Sequence, residues 1–260
     1  MSAINWIIDR WFSKNPRLRG TVTALLEGDA PREVEVLGAK LTVHPVKEHG
    51  YLRASRLSNR STLFRDEVPV LLSLTAVLAG ADAFVDIGAN VGLYVITLAK
   101  LRHLYPLHFY AFEANPDTFT RLSASATPMG ITCHGVGLAD RPGTLTFVEG
   151  AVSNVFALEA HKTSFSLDRT TAVECRRLDS FAIEGRRIVL KIDVEGMELD
   201  VLNGASALFD ADRIHAVYVD GYTNRGVDEF LQRRGFVFHD GRSLAPSRPP
   251  VYSLLALKRG

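Results

Sequence analysis

Residues 83–100 read AFVDIGANVGLYVITLAK. The opening AFVDI is short and apolar except for Asp86, as expected of a strand buried on both faces of a parallel sheet. Glycines at 88 and 92 interrupt the run, and VGLYVITLAKL resumes it as a helix. Strand, glycine turn and helix in that order begin an α/β unit. In such sheets ligands bind beyond the carboxyl ends of the strands, so Asp86, Gly88, Asn90 and Gly92 are candidate ligand contacts.

The same rhythm continues downstream. HFYAFEA reads as a second strand and NPDTFTRLSASA as a helix capped by Asn115, with Pro116 at its first position. ITCHGVGL reads as a third strand. GTLTFVEG and TAVECRRLDSF are β segments flanking an excursion that contains SNVFALEAHKTSF, expected as a lid or substrate loop near residues 150–170. RIVLKIDV returns as a parallel strand, followed by the helix GMELDVLNGA and the strand IHAVYVD. VDEFLQRR, FVFHD and VYSLLAL close the chain as a helix and an antiparallel hairpin. Upstream, INWIIDRWF gathers Trp6, Ile7 and Trp11 near one side of a helix, expected to pack on the main domain or on a partner subunit of a homo-oligomer in preference to a membrane surface. REVEVLGAKLTVHP alternates around Gly38 as a hairpin, and RDEVPVLLSLTAVLAG reads as an apolar helix ending at Gly80. The fold class is α/β, with residues 1–64 as an N-terminal cap and 65–260 as the main domain.

Composition agrees with this division. The chain has 260 residues, 47% of them hydrophobic, enough for one large core. A net charge of +1 without long like-charge blocks argues against nucleic acid or an anionic membrane as partner. The two cysteines, Cys133 and Cys175, lie in apolar segments and are expected as reduced, buried thiols. With no leader-like N-terminus and no apolar run long enough for a bilayer, the expectation is a soluble, cytoplasmic protein.

The strand ends carry acids: Asp86 on the first, Glu113 on the second, Asp193 and Glu195 on the next long parallel strand, Asp220 on the one after. Phosphate-binding glycine loops have other spacings and usually a cation, and Asp86 would repel a pyrophosphate. The set suits a ligand with a ribose diol and a cationic end, as in S-adenosylmethionine. Glu113 would accept both ribose hydroxyls, Asp86 and Asn90 would hold the amino-acid end, and Gly88 would let backbone pass close to the ligand. The plainer alternatives are a helix cap for Asp86 and a surface carboxylate for Glu113.

FVDIGANVGLY, AFEANP, GLAD with GTLTF, LDSF and VLKIDVEGMELDVLNGA occur in an order that resembles FkbM-type methyltransferases, over roughly residues 65–240. The resemblance implies a class I methyltransferase fold, with a seven-stranded sheet and one antiparallel strand. It also implies S-adenosylmethionine-dependent methyl transfer, typically to a hydroxyl of a sugar or secondary metabolite, giving S-adenosylhomocysteine. Cofactor contacts would fall on Asp86, Gly88, Asn90 and Glu113, with Leu138 and Ala139 near the adenine. Ala89, Gly92 and Ala114 lie within the same stretches. One departure concerns VYVDGY, where Asp220 stands at a position often occupied by glutamate in relatives. The resemblance does not extend to the first 60 residues.

For a hydroxyl acceptor, alternation along LKIDVEG puts Lys191 and Asp193 on one face, with Glu195 just past the strand. Asp193 is expected to orient substrate or cofactor. Glu195 is expected as general base, its pKa raised by neighbouring carboxylates and tempered by Lys191. The alternative is a structural ion-pair network of Lys191, Asp193 and Glu198. Asp193, Glu195 and Asp220 could also hold a Mg²⁺ ion; the spacing permits this without requiring it, and the metal-free reading is preferred. Tyr94 would either reach the methionyl carboxylate or pack. His161, in the excursion, is either an acceptor contact or a solvated side chain. The acceptor is expected to be a small molecule or glycan, selected by the cap and residues 150–170. Two competing functions are N-methylation of protein or nucleic acid, and cofactor binding without turnover. Against the nucleobase version stand the neutral charge and the lack of an Asn/Asp-Pro-Pro-aromatic element.

Overall fold

The computed structural model describes residues 16–57, 61–150, 156–158, 166–222, 224–249 and 251–259. The Trp-bearing N-terminal helix and much of the 150–170 excursion, His161 included, lie outside the described residues. From the amino end, α1 (Pro16–Glu27) leads into β1 (Arg32–Val36) and β2 (Ala39–Val43), then α2 (His49–Leu57) and α3 (Thr62–Leu78). β1 and β2 pair antiparallel around Leu37 and Gly38, both with positive φ, the turn that matches strand twist. Ser61 caps α3 by accepting the Leu63 N–H.

The main layer then follows: β3 (Ala83–Ile87), α4 (Leu93–Ala99), β4 (His108–Phe112), α5 (Pro116–Ala126), β5 (Thr132–His134), β6 (Gly137–Leu138), β7 (Gly143–Gly150), β8 (Phe156–Leu158), β9 (Ser166–Arg176), β10 (Ile188–Ile192), α6 (Glu198–Gly204), α7 (Ser206–Asp210), β11 (Ile214–Asp220), α8 (Gly226–Arg233), β12 (Phe236–Asp240) and β13 (Ser253–Lys258). Seven strands form one sheet in the order β12-β13-β11-β10-β3-β4-β5. Only β13 runs against its neighbours, pairing antiparallel with both β11 and β12. The chain leaves β3 toward β4 and returns to β10 on its other side, so the order reverses at β3.

ITCHGVGL is not one strand. It breaks at Gly135, where a side chain would strike the Phe119 ring, and its second half, β6, leaves the main sheet. β6 joins a second sheet in the order β6-β9-β7-β8, which flanks the carboxyl ends of the main strands. In the described part of the excursion, Phe156 stacks on Phe147, with ring centroids 4.9 Å apart.

Strand alternation divides the core. Ala83, Val85 and Ile87 face the cluster under α6 and α8, whereas Phe84 faces the cluster under α3 and α4. Hairpin residues Val36, Leu41 and Val43 belong to that second cluster, so β1 and β2 share a core with the main sheet. Helix α3 runs through position 64. None of the described helices is long and apolar enough to cross a membrane.

Candidate active site

The site forms where three backbone segments meet. After β3, Gly88, Asn90 and Gly92 all take positive φ. The N–H groups of Gly88 and Ala89 donate to the Phe112 carbonyl at the end of β4 (3.0 and 2.9 Å). From the other side, the Asp193 N–H donates to the Ile87 carbonyl (3.0 Å). A Cβ on Gly88 would lie 1.9 Å from the Asp193 carbonyl oxygen. The close approach of the β10 loop is by itself enough to require glycine at 88, which also lines the crevice.

Glu113 is the keystone of the β4 side. Its Oε2 accepts the Asn90 N–H and its Oε1 the Asn115 N–H, both at 2.8 Å. Each oxygen retains a lone pair, so the carboxylate can accept two further hydroxyls. Burial pushes its pKa up to about 7, against the opposing pull of the two N–H bonds and Lys191.

Behind this loop lies a buried ion cluster. Lys191 faces Asp86 across the β3/β10 register, with Nζ 3.1 Å from one Asp86 oxygen and 3.3 Å from Asp193. Its ammonium also lies 4.8 Å from the centre of the Tyr94 ring. Burial opposes charge on Lys191, but Asp86 and Asp193 together outweigh it and raise its pKa. Lys191 is a fixed cation, not a proton acceptor.

These segments wall a crevice of about 600 Å³, within the range of small-molecule sites. Of the residues singled out from the sequence, Gly88, Ala89, Asn90, Tyr94, Glu113, Ala114, Leu138, Lys191, Asp193 and Glu195 line it. Three do not. Asp86 sits one residue before the end of β3, so alternation turns it into the core beside Phe84; it is fully buried and accepts the Val95 N–H (3.2 Å). It anchors α4 and Lys191 instead of reaching a ligand. Gly92 turns the chain into α4 against Leu122 and Ile96. Ala139 donates its N–H to the Arg176 carbonyl, and its own carbonyl packs where a Cβ on Gly204 would stand.

Other lining residues carry no motif. Glu67 on α3 accepts the Tyr94 hydroxyl, and burial raises its pKa. The Tyr94 hydroxyl is thus turned to Glu67. Tyr51 of α2 and Tyr252 also line the crevice, as does Arg242 between β12 and β13. Glu67 stands three, four and seven residues before the buried Val70, Leu71 and Leu74. An acid on the apolar face of a helix was a legible signal. At the far wall, Asp220 accepts from the Tyr218 hydroxyl (2.6 Å) and the Ser253 hydroxyl (3.1 Å). The Glu195 carboxyl is raised by partial burial and by the charges of Asp193, Glu198 and Asp220. Among the described residues no group of three or more His, Cys, Asp or Glu is placed to hold a metal ion.

The donor set fits S-adenosylmethionine: a diol acceptor in Glu113, an apolar patch at Phe112, Val136 and Leu138, and an acidic wall for a cationic end.

Residues 86–238 match the family described as methyltransferase FkbM domain. The chain is similar to the hexuronic acid methyltransferase AglP of Haloferax volcanii, with 27% identity over 199 residues that cover 74% of this chain and 75% of AglP. It is also similar to methyltransferase 1 of Beauveria bassiana, with 29% identity over 195 residues, 65% of this chain and 75% of that protein. Among solved structures, a methyltransferase FkbM from Methylobacillus flagellatus shares 17% identity at a TM-score of 0.42 over 68% of this chain. The chain spans 43% of that protein's length.

Proposed function

The chain belongs to the FkbM methyltransferase family, and on that premise we propose that this S-adenosylmethionine-dependent enzyme methylates a hydroxyl of a sugar or glycan. The observation that carries the reading is the placement of Asp193 and Glu195 at the end of β10 and Asp220 at the end of β11, in the same crevice as Glu113. Base candidates and a diol-binding carboxylate therefore line one pocket. The similarity to a hexuronic acid methyltransferase supports the sugar class.

When bound, S-adenosylmethionine supplies an electrophilic methyl group and is converted to S-adenosylhomocysteine. Glu113 and Asn90 would hold the nucleoside end, and Leu138 would offer an apolar contact there. Lys191 fixes Asp193, which orients the acceptor hydroxyl. Glu195, with its raised pKa, takes the hydroxyl proton at its carboxylate as the oxygen attacks. In this reading the N-terminal cap contributes Lys47, His49 and Tyr51 to the crevice lining, where they would help keep water from the reaction. The reaction needs no metal ion in this scheme.

The test is mass spectrometry of the chain incubated with S-adenosylmethionine and panels of glycosides, peptides and RNA. The proposal expects a methyl-for-hydrogen mass gain on glycosides. A gain confined to peptides or RNA would favour N-methylation instead.

A further inference from the structure

Three lysines and arginines line the crevice: Lys47, Lys191 and Arg242. Two are held by acids. Lys191 lies between Asp86 and Asp193, and Lys47 Nζ is 2.9 Å from Asp117. Arg242 differs. Its nearest acid is Asp66 at 4.0 Å, beyond hydrogen-bond distance, and Arg65 already grips both Asp66 oxygens at 3.0 Å. Among the described residues, the Arg242 guanidinium donates no hydrogen bond.

The backbone on either side of it is tied down. Gly241 donates its N–H to the Ser253 carbonyl (2.8 Å), and Gly221 at the end of β11 donates to the Tyr252 carbonyl (2.8 Å). These bonds pin both ends of the β12–β13 connection to the crevice mouth. The Arg242 guanidinium stands 5.6 Å from the centre of the Tyr252 ring, and Tyr252 is 68% exposed. A flat aromatic face beside a planar guanidinium that no described acid hydrogen-bonds, in the same crevice as Asp193, Glu195 and Asp220, presents three chemistries at once. It offers an apolar surface for a sugar ring, a fork for an anion and acids for hydroxyls. A neutral sugar would leave the fork unused.

We infer that Arg242 and Tyr252 form an acceptor subsite that selects a sugar bearing an anionic group, with Arg242 holding the anion in a bidentate grip. This rests on the sugar reading above and deepens it. The β12–β13 connection thereby joins the cap and residues 150–170 as a determinant of specificity.

The experiment compares kcat and KM for para-nitrophenyl glucuronide, para-nitrophenyl glucoside and glucose phosphate in the wild type, Arg242→Gln and Arg242→Lys, with S-adenosylhomocysteine affinity as control of folding. The wild type should prefer an anionic sugar over the glucoside by about 10-fold or more in kcat/KM, the scale of a charged hydrogen-bonded pair. Arg242→Gln should erase that preference through KM, losing far more on the anionic sugar than on the glucoside while cofactor affinity holds, and Arg242→Lys should restore part of it. Preference for the glucuronide assigns the anion as a carboxylate, and preference for the phosphate assigns it as a phosphate. Equal wild-type rates on charged and neutral sugars, or an equal loss on both in Arg242→Gln, overturn the inference while leaving sugar methylation intact. If no sugar is methylated, the reading beneath it fails as well.

Discussion

The Lys191 ammonium lies 3.1 Å from the Asp86 carboxylate, directly across the register of β3 and β10, and both side chains are almost wholly buried. Two charges in a core are costly unless each compensates the other. Lys191→Met should therefore destabilise the fold by about 3–5 kcal/mol, because it strands Asp86. The double variant Asp86→Asn with Lys191→Met should recover much of that loss. Urea denaturation measures the cycle, and strictly additive losses would show the pair is not coupled.

Glu113 gives a pH signature. Its folded pKa, about 7, lies above its ordinary value of 4.5, so the folded chain favours the protonated form. The stability it contributes is complete below about pH 4.5 and is lost as pH rises through about 7. Relative to wild type, Glu113→Gln should gain stability across that window by on the order of 3 kcal/mol. Cofactor affinity should move oppositely, rising with pH in the wild type as the carboxylate ionises and staying flat in Glu113→Gln. A flat wild-type profile in both measurements contradicts the assignment.

At Gly88, with φ +74, a methyl group would meet the Asp193 carbonyl at 1.9 Å. Gly88→Ala must push the β10 loop away, and with it Asp193. The expected outcome is a stability loss of about 1–3 kcal/mol and a lower kcat. Retention of both at wild-type levels would mean that the two loops do not touch.

Asp193→Asn and Glu195→Gln separate chemistry from binding. Glu195→Gln should lower kcat by about 10²–10⁴-fold while S-adenosylmethionine binds as before. Asp193→Asn should also lower kcat without weakening the cofactor. Wild-type turnover in both removes the base assignment. Treatment with EDTA should leave activity in place, and loss that only Mg²⁺ restores would shift the role of these acids to metal binding.

The fold was legible because its strands are short apolar runs punctuated by glycine, and the terminal hairpin declared the single antiparallel strand. Glu113 was legible because an acid directly after a buried strand has few purely structural uses. Asp86 was placed one step too far out: it is the fourth residue of a five-residue strand, and alternation sends it inward. Gly92, expected at the ligand, packs instead against Leu122 and Ile96, whereas Gly88 both lines the crevice and meets the β10 loop. Tyr51, Arg242 and Tyr252 come from opposite ends of the chain and share no motif. Only the packing of α2 and the β12–β13 connection around one crevice brings them together. ITCHGVGL misled because its apolar pattern continues across Gly135, whereas the strand ends there, with the Phe119 ring packed where a side chain at 135 would stand.

In the proposed function this crevice holds the nucleoside, with Glu113 as its diol acceptor. A crystal structure of the chain with S-adenosylhomocysteine tests it most directly. Both ribose hydroxyls should lie about 2.5–3.0 Å from the Glu113 oxygens, with Asn90 and Asn115 still donating from behind. A nucleoside bound elsewhere, or ribose hydroxyls turned away from Glu113, would contradict the account.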